Sequence, residues 1–153
     1  RGPPTFAVVV HGVRVLVASH FVQSFMFYTQ VLGFDKLYGR PEEGFAFLSR
    51  NGAELMIDQR STTGERDWVA AELAFPFGRG MNLEIEVENV DMLHESCIRH
   101  GARIFMETEE KWYRRDALLL GVRQFIVMDP DGYLLRLSQP LGTRSATGKR
   151  RDG

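Results

Sequence analysis

The stretch that decides the reading is Phe125-Ile-Val-Met128, then Asp129-Pro-Asp-Gly132, then Tyr133-Leu-Leu-Arg-Leu-Ser-Gln139. Two apolar runs flank a turn. Pro130 presets the turn's first dihedral, and Gly132 takes the positive φ that side chains resist. The segment is therefore expected to be a β-hairpin. In its second strand Leu135 and Leu137 point to one face, and Leu134, Arg136 and Ser138 to the other. An arginine inside an apolar strand marks the second face as something other than ordinary core. Water, a cavity or a ligand lies there.

The chain around this hairpin has 153 residues, 44% of them hydrophobic, and a formal charge of −1. That suits one compact domain of ordinary size. The near-zero charge argues against a nucleic-acid binder or a membrane-surface protein, which carry a basic excess or a basic stripe. Cys97 is the single cysteine. An intrachain disulfide and a CxxC metal or redox site are excluded, and a buried small residue is expected. No apolar run approaches the ~20 residues of a membrane span. Phe6–Val10 is too short and too poorly flanked for a signal peptide, so a cytoplasmic location is the default expectation. Residues 1–12 read as an N-terminal extension. Residues 141–153 lack apolar periodicity and read as a disordered tail.

Outward from the hairpin, two similar halves emerge. Val13–Ser19 is β-rich, and the Ser19 hydroxyl can cap a following helix. Phe21, Phe25, Tyr28 and Leu32 fall on one face of that helix, and Gly33 stops it. Phe34–Gly39 reads as a strand, Pro41–Gly44 as a turn, and Phe45–Ser49 with Glu54–Gln59 as a hairpin. The second half repeats the order. Met81–Glu88 alternates cleanly, and Val90–His100 is helical with Asn89 as its cap. Ala102–Glu107 is a strand, and Leu120–Met128 with Tyr133–Gln139 is the hairpin already described. Thr108–Leu119 reads as a charged loop carrying Trp112 and Tyr113. Residues 61–80 read as an apolar linker with a short helix at Asp67–Leu73.

The halves also match residue against residue. Val13 aligns with Asn82, Val15 with Glu84 and Val17 with Glu86. Phe45 aligns with Phe125, Leu55 with Leu135 and Met56 with Arg136. An internal duplication is the simplest reading, so each half should fold alike. The expected fold class is α+β: two tandem βαβββ modules, at 13–60 and 81–140, forming a curved mixed sheet around a cavity. One face of each sheet meets a helix and is apolar, and the other lines the cavity.

With these elements in place, the sequence resembles the glyoxalase, bleomycin-resistance and extradiol-dioxygenase group, also called the vicinal oxygen chelate superfamily. The residues that carry the resemblance are Ser24-Phe-Met-Phe-Tyr-Thr-Gln-Val-Leu-Gly-Phe34 and Asp129-Pro-Asp-Gly-Tyr133. It spans Val13 to Gln139. It implies that metal-using members place one ligand on the first and one on the last strand of each module. The equivalent positions here are Val13, Met56, Asn82 and Arg136. Valine has no donor atom, a thioether suits Cu(I), and a guanidinium has no free lone pair. No metal and no cofactor is therefore expected. Shifting the first strand by two residues brings in His11, which with Glu54 or Glu84 would be the seed of a metal site. That arrangement is the alternative: a metal-dependent lyase, isomerase or dioxygenase with non-standard ligands. His20, His94 and His100 are expected at the surface.

Strand alternation sends Glu54, Met56, Asp58, Asn82, Glu84, Glu86, Leu134, Arg136 and Ser138 to the cavity side. This set is acidic on balance and suits a cationic ligand, although Glu84 and Glu86 could equally face water on a half-exposed strand. Arg136 is expected to pair with Glu84 or Glu54, or else to hold an anionic group. Trp112 and Tyr113 could stack on a flat or cationic ligand, or pack over the sheet. Trp68, Phe75 and Phe77 are expected to cover sheet edges or a dimer interface. The resemblance to the bleomycin-resistance branch implies a metal-independent, drug-sequestering homodimer. Its ligand-binding residues would be Trp112, Tyr113, Glu84, Glu86, Glu54, Asp58, Arg136 and Asn82. Metal-free catalysis with Glu84 as base is a third reading. No nucleophile triad, P-loop or glycine-rich nucleotide motif is present.

Overall fold

A computed structural model describes residues 13–61 and 68–147. Its elements follow the duplicated order. The first module has β1 (Arg14–Ala18), α1 (Phe21–Met26), β2 (Asp35–Arg40), β3 (Phe45–Arg50) and β4 (Ala53–Gln59). The second has β5 (Asn82–Glu86), α2 (Val90–Arg99), β6 (Arg103–Arg115), β7 (Leu118–Met128) and β8 (Leu134–Ser145). They form two four-stranded sheets, ordered β1-β4-β3-β2 and β5-β8-β7-β6. In each, the first strand runs parallel to the last and the other neighbours are antiparallel. The duplication reaches the register: Val15 lies beside Met56 as Glu84 lies beside Arg136. Two mixed sheets with a helix in each module make the chain α+β, as the two βαβββ repeats in the sequence require.

The central hairpin forms as its residues dictate. Gly132 has φ 94°, its N–H donates to the Asp129 carbonyl, and the Asp129 N–H closes on Tyr133. Leu135 and Leu137 are fully buried. With Leu16, Leu48, Leu55, Ile57, Ile85, Phe125 and Val127 they form one core shared by both modules, closed by Tyr28, Leu32, Val90 and Leu93. Cys97 lies in this core, and burial pushes its thiol up to about 11.

The helices start differently from the expectation at one end. Asn89 caps α2 by accepting from the Met92 N–H at 3.1 Å. Ser19 does not cap α1, because its hydroxyl is turned to Asp131 of the other module. Gln59 replaces it, its Oε1 accepting from the Phe21 N–H at 2.7 Å. Gln139 does the same for Val90 at 3.0 Å. Each helix is thus capped by a glutamine from its own module's last strand. Past Met26 the first helix widens into a π-turn over Phe27–Val31. There the Thr29 hydroxyl donates to the Phe25 carbonyl, and Gly33, at φ 75°, ends it.

Three stretches depart from the sequence-based expectation. The expected loop at 108–119 is strand: β6 and β7 continue outward as a hairpin paired to Arg115↔Leu118, turning at Asp116 with φ 54°. Its charged residues need no core, since cross-strand backbone bonds and alternating side chains hold it. The expected tail is strand as far as Ser145, which pairs with Leu118. Pro140 is tolerated there because it sits beside a bulge opposite Gly121 and Val122. Residues 148–153 and 1–12 lie outside the described residues. Residues 68–73 contain no helix, and Asp67 is not described.

Polar ties join the modules. Tyr28 donates to Asp129 at 2.7 Å, and the Ser19 N–H and Ser24 hydroxyl donate to Asp131 at 3.0 and 3.4 Å. Tyr133 donates to the Val17 carbonyl and Ser96 to the Val31 carbonyl. The turn of the central hairpin is therefore also the main polar lock between modules. Among the described residues no helix is long and apolar enough to cross a membrane.

Candidate functional site

The register fixes the order of side chains on the outer face of the second sheet. Reading from β5 across β8 and β7 to β6, one row is Glu84, Arg136, Ile126 and Met106. The next is Glu86, Ser138, Gln124 and Glu109. Alternation puts all of them opposite the core side chains Phe125, Leu135 and Leu137. Arg136 Nη2 donates to Glu84 Oε2 at 3.1 Å, and the Ser138 hydroxyl donates to Glu84 Oε1 at 3.0 Å. The expected pairing of Arg136 is thus with Glu84. Gln124, which the sequence did not bring forward, is 2% exposed. Its Nε2 donates to the Tyr113 hydroxyl at 2.8 Å and to Glu109 Oε1 at 3.1 Å. Only its place between Arg123 and Phe125 in an apolar strand could have flagged it.

Glu54, Glu84 and Glu86 come together with Arg14 and Leu83 around one cavity of about 170 Å³ where the two modules meet. Asn82 is exposed at the start of β5, beside Leu134. Asp58 lies on the first sheet, beside Val17 and Phe45. It does not line that cavity.

Trp112 and Tyr113 are separated. In a strand, consecutive residues face opposite ways. Tyr113 reaches Gln124 on the outer face. Trp112 lies against Gly121, with Arg144 over its ring at 3.8 Å. By alternation it shares a side with Glu110 and Arg123, and Arg123 pairs with both Glu110 and Asp91 of α2. The two cannot clamp one ligand. The first sheet supplies the aromatic surface instead. Tyr38 stacks on Phe47 at 5.2 Å and leans on Phe45 at 5.9 Å, and Arg40 covers Phe45 at 4.2 Å. Val15 and Tyr38 are each 49% exposed.

The linker aromatics divide. Phe77 is buried edge-on against Tyr133 and Phe75 lies near Arg103, whereas Trp68 is exposed. His20 and His100 are exposed. His94 is half-covered, between Glu107 at 2.9 Å and the Phe125 edge.

The ligand set of a metal centre does not fit these residues. The strand register moves the expected first-strand positions by two residues: Val15, not Val13, lies beside Met56, and Glu84, not Asn82, lies beside Arg136, so the facing pairs are valine with methionine and glutamate with arginine. The second pair is already satisfied by its own ion pair. Among the described residues no three His, Cys, Asp or Glu side chains are placed to hold a metal ion. His11 lies outside the described residues.

Comparison with known proteins follows the same line. Residues 10–137 match the family model described as the Glyoxalase/Bleomycin resistance protein/Dioxygenase superfamily. No curated protein matches significantly. Among solved structures, TioX from Micromonospora sp. ML1 is similar at 24% identity and a TM-score of 0.63, over 86% of this chain and 98% of that one. An integron cassette protein from the mobile metagenome of V. cholerae is similar at 19% identity and a TM-score of 0.61, over 83% and 91%. A glyoxalase/bleomycin resistance protein/dioxygenase from Nocardioides is similar at 21% and 0.60, over 90% and 85%. At these identities the likenesses speak for the fold alone. With the duplicated βαβββ order and the family match over most of its length, the chain belongs to the glyoxalase/bleomycin resistance protein/dioxygenase superfamily.

Proposed function

We propose that the protein is a metal-independent, homodimeric binding protein that sequesters a cationic, aromatic small molecule, as its resemblance to the bleomycin-resistance branch implies. The observation that carries this reading is the Glu84–Arg136–Ser138 network. Side chains that would have to converge on a metal bind one another instead. Carboxylates at Glu54, Glu84 and Glu86 outnumber the one guanidinium, Arg14, that lines the same cavity, and an excess of carboxylates in a cleft attracts a cation. Tyr113 on the second sheet and the Tyr38–Phe47 stack on the first offer faces for planar groups. The same first sheet exposes Val13, Val15, Leu37 and Tyr38, apolar surface that a second copy would cover.

The test is metal analysis of the purified protein, followed by thermal melts with added Zn²⁺, Ni²⁺, Mn²⁺ and Fe²⁺ and with bleomycin. A ligand that binds the folded state raises the melting temperature by mass action. Stabilisation by bleomycin, with no stoichiometric metal and no shift from the divalent ions, is the expected result. A stoichiometric metal, or a large shift with one ion, overturns the reading.

A further inference from the structure

On the outer face of the second sheet, Oε1 of Gln124 and Nε of Arg136 are out of water and have no hydrogen-bond partner. Among the described residues one other side-chain atom is in this state, Nη1 of Arg50. That group sits at the end of the first helix, where its Nε caps the Leu32 carbonyl. The orientation of the Gln124 amide is set by its neighbours. Glu109 Oε1 accepts from the amide nitrogen, so the nitrogen faces that carboxylate, and the carbonyl is left with nothing to accept from. Arg136 spends one donor on Glu84. Gln124 is paired with Ser138 and Arg136 with Ile126. The two side chains are therefore diagonal neighbours on one face of an antiparallel ladder, roughly 7–8 Å apart at Cα. A buried group without its partner costs free energy that a matching ligand recovers.

We infer that Gln124 and Arg136 form a subsite for a carboxamide-type group on the ligand. The Arg136 Nε–H donates to its carbonyl oxygen, and Gln124 Oε1 accepts from its N–H. A carboxylate offers Gln124 no donor and an ammonium offers Arg136 no acceptor, whereas a neutral amide offers both. This rests on the proposed binding of a planar cation at this face, and it names the group by which one such cation is told from another.

The test is titration calorimetry with 1-methylnicotinamide, a planar cation bearing a carboxamide, and with 1-methylpyridinium, the same ring cation without it. The wild type is expected to bind the carboxamide at least about ten-fold more tightly. That ratio falls to about one in Gln124→Met, which keeps length and loses the acceptor. Gln124→Met also frees the Tyr113 hydroxyl, which shifts both compounds together, so the ratio between them is the readout, and a purely structural role for Gln124 would leave that ratio unchanged. If Gln124→Met fails to fold, Arg136→Lys keeps the charge beside Glu84, removes Nε, and is expected to give the same collapse of the ratio. Equal binding of the two compounds by the wild type, or a ratio that survives both substitutions, overturns the subsite and leaves the proposed function standing. Binding of neither compound overturns the subsite, and if bleomycin also fails to bind, the reading beneath it falls too.

Discussion

At residue 121 a side chain has nowhere to go. A Cβ there would lie 2.6 to 2.8 Å from three atoms of the Trp112 ring. The indole is therefore held between Gly121 below and the Arg144 guanidinium above, which adds a cation–π contact. Gly121→Ala is expected to cost about 1–3 kcal/mol through overpacking, read as a lowered urea midpoint with an unchanged slope. The same geometry separates the two neighbouring aromatics by role. Trp112→Ala should lower stability and leave affinity for bleomycin unchanged. Tyr113→Ala should do the reverse, weakening the complex while the melting temperature moves little. If Trp112→Ala weakens binding as much as Tyr113→Ala does, the assignment of opposite faces is wrong. Adjacent aromatics among charges look like a loop clamp in the sequence, and one structural fact, that the stretch is strand, reverses the inference.

The helices carry the lesson of the next scale. Gln59 caps α1 from 38 residues away, and Gln139 caps α2 from 49 residues away. Removing either leaves a first-turn amide without its acceptor, so Gln59→Ala and Gln139→Ala are each expected to cost about 1 kcal/mol. The two sites belong to different modules and share no partner, so the double variant should lose the sum. A sequence window sees the local cap Asn89 and misses these, because the partner arrives only when the module folds. The same divide explains what else was legible. Turn chemistry at Asp129–Gly132, alternation in β5 and β8 and the Asn89 cap of α2 are local signals, and the structure keeps them. The outer half of β6, β7 and β8 has no apolar period because it has no core beneath it. Its pairing is set by register, which local composition does not record. Of the candidate site, Glu84 and Arg136 could be read from alternation, and their pairing follows from charge. Gln124 carries only one weak mark, a polar residue in an apolar strand, and its partners Glu109 and Tyr113 arrive only when β6 pairs with β7.

The whole molecule is locked by a buried acid. Asp129 accepts from the Tyr28 hydroxyl and from the backbone of Asp131 and Tyr133. Burial pushes its carboxyl from 3.8 up to about 6, outweighing those bonds, which favour the ionised form. The folded chain thus holds this proton more tightly than the unfolded chain does. The resulting stability is fully present below pH about 4 and is lost as pH rises through about 6. A rise of that size corresponds to roughly 3 kcal/mol. The tie it makes joins β7 and β8 of one module to the helix of the other, so the loss should be felt across the shared core rather than locally. Asp129→Asn keeps an oxygen for the backbone N–H groups of Asp131 and Tyr133, turns its amide nitrogen, a donor, toward the Tyr28 hydroxyl, and removes the titration. The difference in unfolding free energy, wild type minus this variant, measured by urea melts from about pH 4.5 to about 7.5, should therefore fall by about 2 kcal/mol, the part of that stability still present at pH 4.5, and level off above about pH 7. A difference that stays flat across the range would mean that Asp129 is ionised throughout, with its three hydrogen bonds outweighing burial. A difference of opposite slope would mean that the lock between the modules is a charge-assisted bond, strongest at neutral pH.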